Sequence, residues 1–250
     1  MNAPKHKATG PNGISNKMLK HLPLSASKQL LKIFNACIRL EQVLQSWLKS
    51  NIWAIPKKTR YNFNLNTTRP ITLIDHTRKI FTKLLTNKLS DTLSRHQVLS
   101  PLNYAALPFQ STLQPISQLS SIIETATTQK QELWLLLHDM SKAFDSIHVL
   151  TLIKAIERIK LPTPFINLIT FILSNRSNQV ITSHGHTNPY LVEDRIDQGE
   201  TISPILWIIY YDPLITCIST EHTGFKRTLT TSTRSKEIYA SIMAYMDDSI

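Results

Sequence analysis

The sequence predicts an α+β fold, and three observations carry that expectation. Helical and strand periodicities are mixed along the chain without strict alternation. Apolar residues make up 42% of the 250 positions, enough for one large folded unit or two small domains sharing a surface. A continuous apolar run at 133–137, Leu-Trp-Leu-Leu-Leu, leads into His138-Asp139 and a polar stretch. That is the pattern of a strand buried on both faces that ends at a site.

The elements follow in order. Gly10-Pro11-Asn12-Gly13 reads as a tight turn, with proline setting φ and glycine permitting unusual angles. A helix is expected over 27–40, with Leu30, Leu31, Phe34, Cys37 and Ile38 on one face and Ser25 or Ser27 as cap. Residues 51–55 read as a strand closed by Pro56, and 57–68 as a polar loop. A second helix fits 76–93, where Phe81, Leu85 and Leu89 recur at helical spacing. Residues 97–112, with two prolines, read as a connection, and 113–130 as a third helix.

After the apolar run, a fourth helix is expected over 147–159, with Val149, Ile153 and Ile156 inward and Asp145 or Ser146 capping it. Segments 179–183 and 190–193 flank a Gly185 turn and read as a hairpin. A helix over 202–215 is entered through Ser203-Pro204, and Pro213 is expected to bend it or end it early. Residues 237–245 read as a strand leading into Met246-Asp247-Asp248.

Lys and Arg total 28 against 17 Asp and Glu, a formal charge of +11. Nucleic acid is the polyanion that such a chain most readily meets, because neutralised phosphates release counterions. The two cysteines, Cys37 and Cys217, are too few for a disulfide framework or a zinc motif and fit a reducing interior. The first ten residues are polar and basic, unlike a secretory signal. The most apolar stretch, 202–218, is broken by Pro204, Asp212 and Pro213. Its longest run falls short of the ~20 residues of a membrane span, so it reads as core and no membrane partner is expected.

Two features carry chemistry. Adjacent carboxylates at Asp247-Asp248 repel each other, a cost offset when a divalent cation binds between them and a third acid. Alone, such a pair describes a solvated turn. Asp139 supplies the third acid, and an acid closing a buried strand demands compensation. Together the three could hold two Mg²⁺ ions about 3.5–4 Å apart, the device of in-line phosphoryl transfer.

The series Asp139…Ala143-Phe144-Asp145, Gln198-Gly199…Ser203-Pro204 and Tyr245-Met246-Asp247-Asp248 resembles the core motifs of reverse transcriptases. Upstream, Gly10-Pro11-Asn12-Gly13-Ile14, Trp47, Pro56-Lys57-Lys58 and Arg69-Pro70-Ile71 follow the order found in non-LTR, LINE-like retrotransposon enzymes. The resemblance implies a right-hand polymerase fold, with fingers mainly at 1–130 and 150–197 and a palm with an antiparallel sheet mainly at 131–149 and 198–250. It implies RNA-directed DNA polymerase activity, with RNA template, DNA primer and dNTP as partners. It implies two Mg²⁺ ions, with Mn²⁺ as a substitute, on Asp139, Asp247 and Asp248. Phe144 matches the aromatic gate that excludes a ribose 2′-OH. Gln198 and Gly199 match the element packed against nucleotide and template. Arg69 with Lys57 or Lys58 matches the triphosphate grip, and Arg78, Lys79, Lys83 and Lys88 either line a template path or are solvated.

Departures from the family pattern are local. Where a Gln-x-Gly-Phe-Arg segment is usual, Ala106-Leu107-Pro108-Phe109-Gln110 keeps the Phe alone. Glu200-Thr201 stands where small or apolar residues are common. The chain ends two residues after Asp248, so a return strand, the later palm motifs and a thumb are expected to be missing. The competing expectation is an inactive remnant of a retroelement that at most binds RNA. Oligomeric state and compartment, nucleus or cytoplasm, are not encoded legibly.

Overall fold

The structure is a computed structural model that describes residues 7–57, 67–221, 224–230 and 235–250, with backbone alone for 227–230 and 235–239. It divides into two compact units. The first comprises residues up to Thr86 with Phe144–Ser203, and the second Asn87–Ala143 with Pro204–Ile250.

The first unit opens with the glycine turn. Gly13 N–H donates to the Gly10 carbonyl at 3.1 Å, with Gly13 at φ +70°. Helix α1 (Asn16–Lys20) follows, its N-terminus capped by Ser15, whose hydroxyl accepts from Met18 N–H. Helix α2 (Leu24–Leu40) begins behind Pro23 without a side-chain cap, so neither Ser25 nor Ser27 plays that part. Of its apolar stripe, Phe34 and Cys37 are buried while Leu31 and Ile38 are exposed.

Strand β1 (Lys49–Pro56) pairs antiparallel with β2 (Thr68–Leu73) and parallel with β4 (Arg176–Thr182). β4 folds back on β5 (Gly185–His186) and β6 (Tyr190–Val192), completing a five-stranded sheet. The hairpin about Gly185 is therefore present, but its first strand is also a sheet member, a pairing that local pattern cannot reveal.

Helix α3 (His76–Arg95) supplies Phe81 to an aromatic cluster in which the Phe34, Trp47 and Phe81 ring centroids lie 5.3–5.9 Å apart. Leu168 and Ile172 close that core from α6 (Thr163–Ser174), a helix absent from the sequence expectations. Pro162 and Pro164 do separate helices, but they also start this one. Helix α5 (Val149–Arg158) is capped neither by Asp145 nor by Ser146. Asp194, 45 residues away, accepts from Val149 N–H at 2.9 Å.

In the second unit, α4 (Leu113–Gln129) packs Ile122 against Tyr104 and Met243. Helix α7 (Ser203–Glu221) buries Ile205, Leu206, Trp207, Ile208, Ile209, Tyr211 and Ile215, as the core reading of 202–218 anticipates. Pro213 does not end it early, since the helix runs on to Glu221. The lost hydrogen bond and ring clash cost about 3 kcal/mol, and a helix buried over most of its surface outweighs that.

The strand expected over 237–245 is divided. β8 (Ser235–Ala240) pairs with β7 (Phe225–Thr230), and β9 (Ala244–Tyr245) belongs to a separate three-stranded sheet, β3-β10-β9, with β3 (His138–Asp139) and β10 (Asp248–Ser249). The return arm expected to be missing is thus present as β10.

The largest correction concerns 133–137. These residues form no strand, and Trp134, Leu136 and Leu137 are 85%, 79% and 77% exposed. A strand buried on both faces needs a partner along its length, and of residues 133–139 β10 pairs with His138 and Asp139 alone. No helix among the described residues is long and apolar enough to cross a membrane.

Candidate active site

The three carboxylates lie in the second unit on one small antiparallel ladder. Asp248 sits opposite Asp139 on one side and opposite Tyr245 on the other. Met140 N–H donates to the Asp247 carbonyl at 3.1 Å. Ladder alternation then makes Asp139–Asp248 a non-hydrogen-bonded pair, the kind whose Cα atoms are closest, about 4.5 Å, and whose side chains share one face. Both aspartates are exposed.

Between the arms, Met246 and Asp247 form a two-residue turn with Met246 at φ +57°. Tight hairpin turns demand positive φ at the first central position, and a side chain there costs about 1–3 kcal/mol unless its surroundings hold it. They do: the Met246 carbonyl accepts the Trp207 indole N–H at 2.6 Å. Trp207 is itself stacked on Tyr211 at 5.4 Å, and the Tyr211 hydroxyl lies 3.3 Å from the Ser249 hydroxyl. Met243 and Ile250 exchange reciprocal backbone bonds at 2.8 and 2.9 Å, extending the ladder beyond the acids.

Among the described residues, no three His, Cys, Asp or Glu side chains converge closely enough to hold a metal ion. The assembled part is the Asp139–Asp248 pair, with Asp247 beside it in the turn. Mg²⁺ is commonly held by one or two carboxylates completed by substrate phosphates and water. Two hard oxygen donors on one face fit that demand.

The candidate nucleotide contacts lie in the first unit. Arg69 stands on β2 opposite Ile55, and Lys57 N–H donates to the Thr67 carbonyl at 2.8 Å, so both occupy one end of the β1–β2 hairpin with their side chains exposed. Lys58 lies outside the described residues.

Three residues along β2 from Arg69, or about 10 Å at strand rise, Thr72 N–H donates to the Gln198 carbonyl at 2.7 Å. Gly199, at φ +123°, leaves no room for a side chain, since a Cβ would lie 2.7 Å from the Thr72 carbonyl oxygen. Phe144 is half-buried in a 3₁₀ turn (Ala143–Ser146), and its carbonyl accepts from Ile196 N–H at 3.0 Å. Phe144, Gln198, Gly199, Arg69 and Lys57 therefore hang on one connected run of backbone.

The sequence reading missed what anchors this run. Glu200 N–H donates to the Asp197 carbonyl at 3.3 Å, closing a turn with Gln198-Gly199 at its tip. Both corner acids are buried. Arg78 Nε lies 2.8 Å from Glu200 Oε2 and Arg176 Nη1 3.0 Å from Asp197 Oδ1, every side chain in the set at most 4% exposed. Arg78 also donates to the Trp47 carbonyl at 2.7 Å, and the Thr82 hydroxyl donates to Glu200 at 2.7 Å.

Arg78 is thus neither a template-path residue nor solvated. The period that turns Phe81, Leu85 and Leu89 inward also turns Arg78 inward, a signal that was present in the sequence. Glu200 at a position expected to be small or apolar is explained by this partner. Neighbouring Lys79 is held below the ordinary ammonium range by burial, with the Glu200 carboxylate opposing the shift.

Known proteins resemble this chain in sequence and in fold. The family model for "Reverse transcriptase (RNA-dependent DNA polymerase)" matches residues 55–250. A probable RNA-directed DNA polymerase from transposon BS of Drosophila melanogaster is 25% identical over 83% of this chain and 23% of its own length. A Pol polyprotein from the type-1 retrotransposable element R2 of Nasonia vitripennis is 25% identical over 88% of this chain and 21% of its own length. The chain thus spans under a quarter of these relatives. Telomerase from Candida albicans, solved with a fragment of telomeric RNA, superposes with a TM-score of 0.53 at 13% identity, over 91% of this chain and 42% of that one. That likeness shows the fold.

Proposed function

The chain belongs to the reverse transcriptase (RNA-dependent DNA polymerase) family, and from that premise we propose that it is the part of a retroelement polymerase that joins dNTPs to a primer 3′-hydroxyl on an RNA template. In that reaction the primer 3′-oxygen attacks the α-phosphorus of the dNTP, and the bond to the β-phosphate breaks to release pyrophosphate. The observation that carries the reading is the register placing Asp248 opposite Asp139 on one sheet face.

Asp139 and Asp248, with Asp247 beside them, would hold Mg²⁺, or Mn²⁺ in its place. When bound, such ions would supply acidity at the attacking hydroxyl and neutralise charge on the leaving group. Arg69 grips triphosphate oxygens with its guanidinium fork, and Lys57 or Lys58 acts as a point charge. Phe144 closes the space a 2′-OH would need. Gln198 and Gly199 offer a flat surface to the nucleotide, because glycine lets it approach the backbone.

RNA as template is supported by the names of the relatives and by the chain's charge of +11. Primer extension on an RNA template with dNTPs and Mg²⁺, comparing the chain with Asp247→Ala, tests the proposal. Extension lost in the variant supports it. Equal signals from both proteins remove it, and RNA affinity without extension points to an inactive RNA-binding remnant.

A further inference from the structure

We infer that the buried Arg78–Glu200 pair is a positioning device for the nucleotide-contacting turn at 197–200, an inference that rests on the function proposed above. The turn is oriented by charge at its corners and exposed at its tip. Asp197 and Glu200 are 4% and 7% exposed and face inward, whereas Gly199 is exposed and Gln198 half-buried. Three elements hold it from different directions. β2 receives it through Thr72, α3 through Arg78 and Thr82, and β4 through Arg176. Arg78 also reaches Asp197 at 3.8 Å, so one guanidinium spans both corners. The Ser203 hydroxyl also donates to the Asp197 carbonyl at 2.9 Å.

Stability alone does not account for this arrangement. Desolvating paired charges costs about as much as their attraction returns, and apolar residues of similar volume commonly serve as well. What a buried charge pair adds is a penalty for displacement: sliding would leave a buried charge unpaired, whereas apolar packing tolerates sliding. Gly199 shows that sliding is not tolerated here, since its backbone already lies against the Thr72 carbonyl. Arg78 and Glu200 touch no substrate in this scheme and act through Gln198 and Gly199.

The test compares Glu200→Gln, Arg78→Lys and a control, Leu168→Ala, which weakens the aromatic core of the same unit and leaves both charged side chains in place. Melting temperature, the affinity for Mg²⁺–dTTP and hydrogen exchange at residues 197–201 are measured for each. Glu200→Gln keeps an acceptor for Thr82 and Thr201 and carries the comparison should Arg78→Lys not fold. The expected result is an affinity weakened roughly tenfold or more, as small misplacements of binding groups produce, with faster exchange at the turn. The control should lose melting temperature with affinity and turn exchange unchanged. Wild-type affinity and exchange in Glu200→Gln overturn the inference, as does a control that matches it. If the unaltered chain does not bind Mg²⁺–dTTP, the proposed function fails instead. Exchange at the turn then still decides whether the pair holds it, and unchanged exchange overturns that as well.

Discussion

Asp139 and Asp248 face each other across two antiparallel strands of two residues each, on the same side of the sheet. Like charges directly opposite destabilise a strand pair by up to about 1 kcal/mol, less as salt screens them. The ladder tolerates this because Met243 and Ile250 close it on one side and Trp207 fixes the turn on the other.

Replacing Asp139 with Asn should therefore stabilise the metal-free protein, by up to about 1 kcal/mol at low salt, while removing any gain on adding Mg²⁺. Thermal melts with EDTA and with Mg²⁺ check both signs. A variant that loses stability without metal, or still gains from Mg²⁺ as the unaltered chain does, contradicts the pairing.

Trp207→Phe removes the indole donor and leaves the Met246 carbonyl without it, at a left-handed residue. A loss of about 1–3 kcal/mol is expected from the unsatisfied group. Urea unfolding followed by circular dichroism measures it. A shift within a few tenths of a kcal/mol would show that the turn does not depend on this bond.

Gly199→Ala places a Cβ 2.7 Å from a backbone oxygen at φ +123°. Backbone strain of about 1–3 kcal/mol adds to the clash, so the first unit should be clearly destabilised. The same unfolding experiment decides it, and a neutral result would require that the turn move away from Thr72.

His76 introduces a pH dependence. The residue is 2% exposed, Nδ1 has no hydrogen-bond partner among the described residues, and burial lowers its pKa from 6.5, with Lys79 adding to the shift and Asp75 opposing it. A depressed folded-state pKa means the contribution to stability is present above 6.5 and is lost as pH falls through the folded value. Asp75 has the opposite sign: burial raises its carboxyl above 3.8. Its contribution is full below that value and declines as pH rises through the folded pKa. Stability measured from pH 7 down to 5 should fall in the unaltered chain and fall less in His76→Gln. Parallel curves would exclude His76 as the cause.

Much of the fold was legible because local rules apply to it. The spacing of Phe81, Leu85 and Leu89 marks α3, and the glycine pair at 10 and 13 marks the first turn. Ser203-Pro204 marks the start of α7. The run at 133–137 misled because apolar content signals burial only where a partner exists, and β10 reaches no further than His138. Helix α6 is hidden by Pro162 and Pro164, which read as stops, although Pro164 lies in its first turn, where a missing N–H costs nothing. The N-terminus of α5 takes its side-chain acceptor from Asp194 and not from the adjacent Asp145 or Ser146.

By itself the sequence determined which residues are available for chemistry. The order of Asp139, Phe144, Gln198-Gly199 and Asp247-Asp248, with the basic balance of the chain, marks the family. Tertiary structure alone decided who stands opposite whom. The Asp139–Asp248 register spans 109 positions, and the Arg78–Glu200 pair, which spans 122, turns an unusual acid into an anchor. The physical reason is that periodicity and turn preference report a residue's own backbone. Burial of a charge or an acid pair depends on a partner brought near by chain folding, which no local pattern encodes.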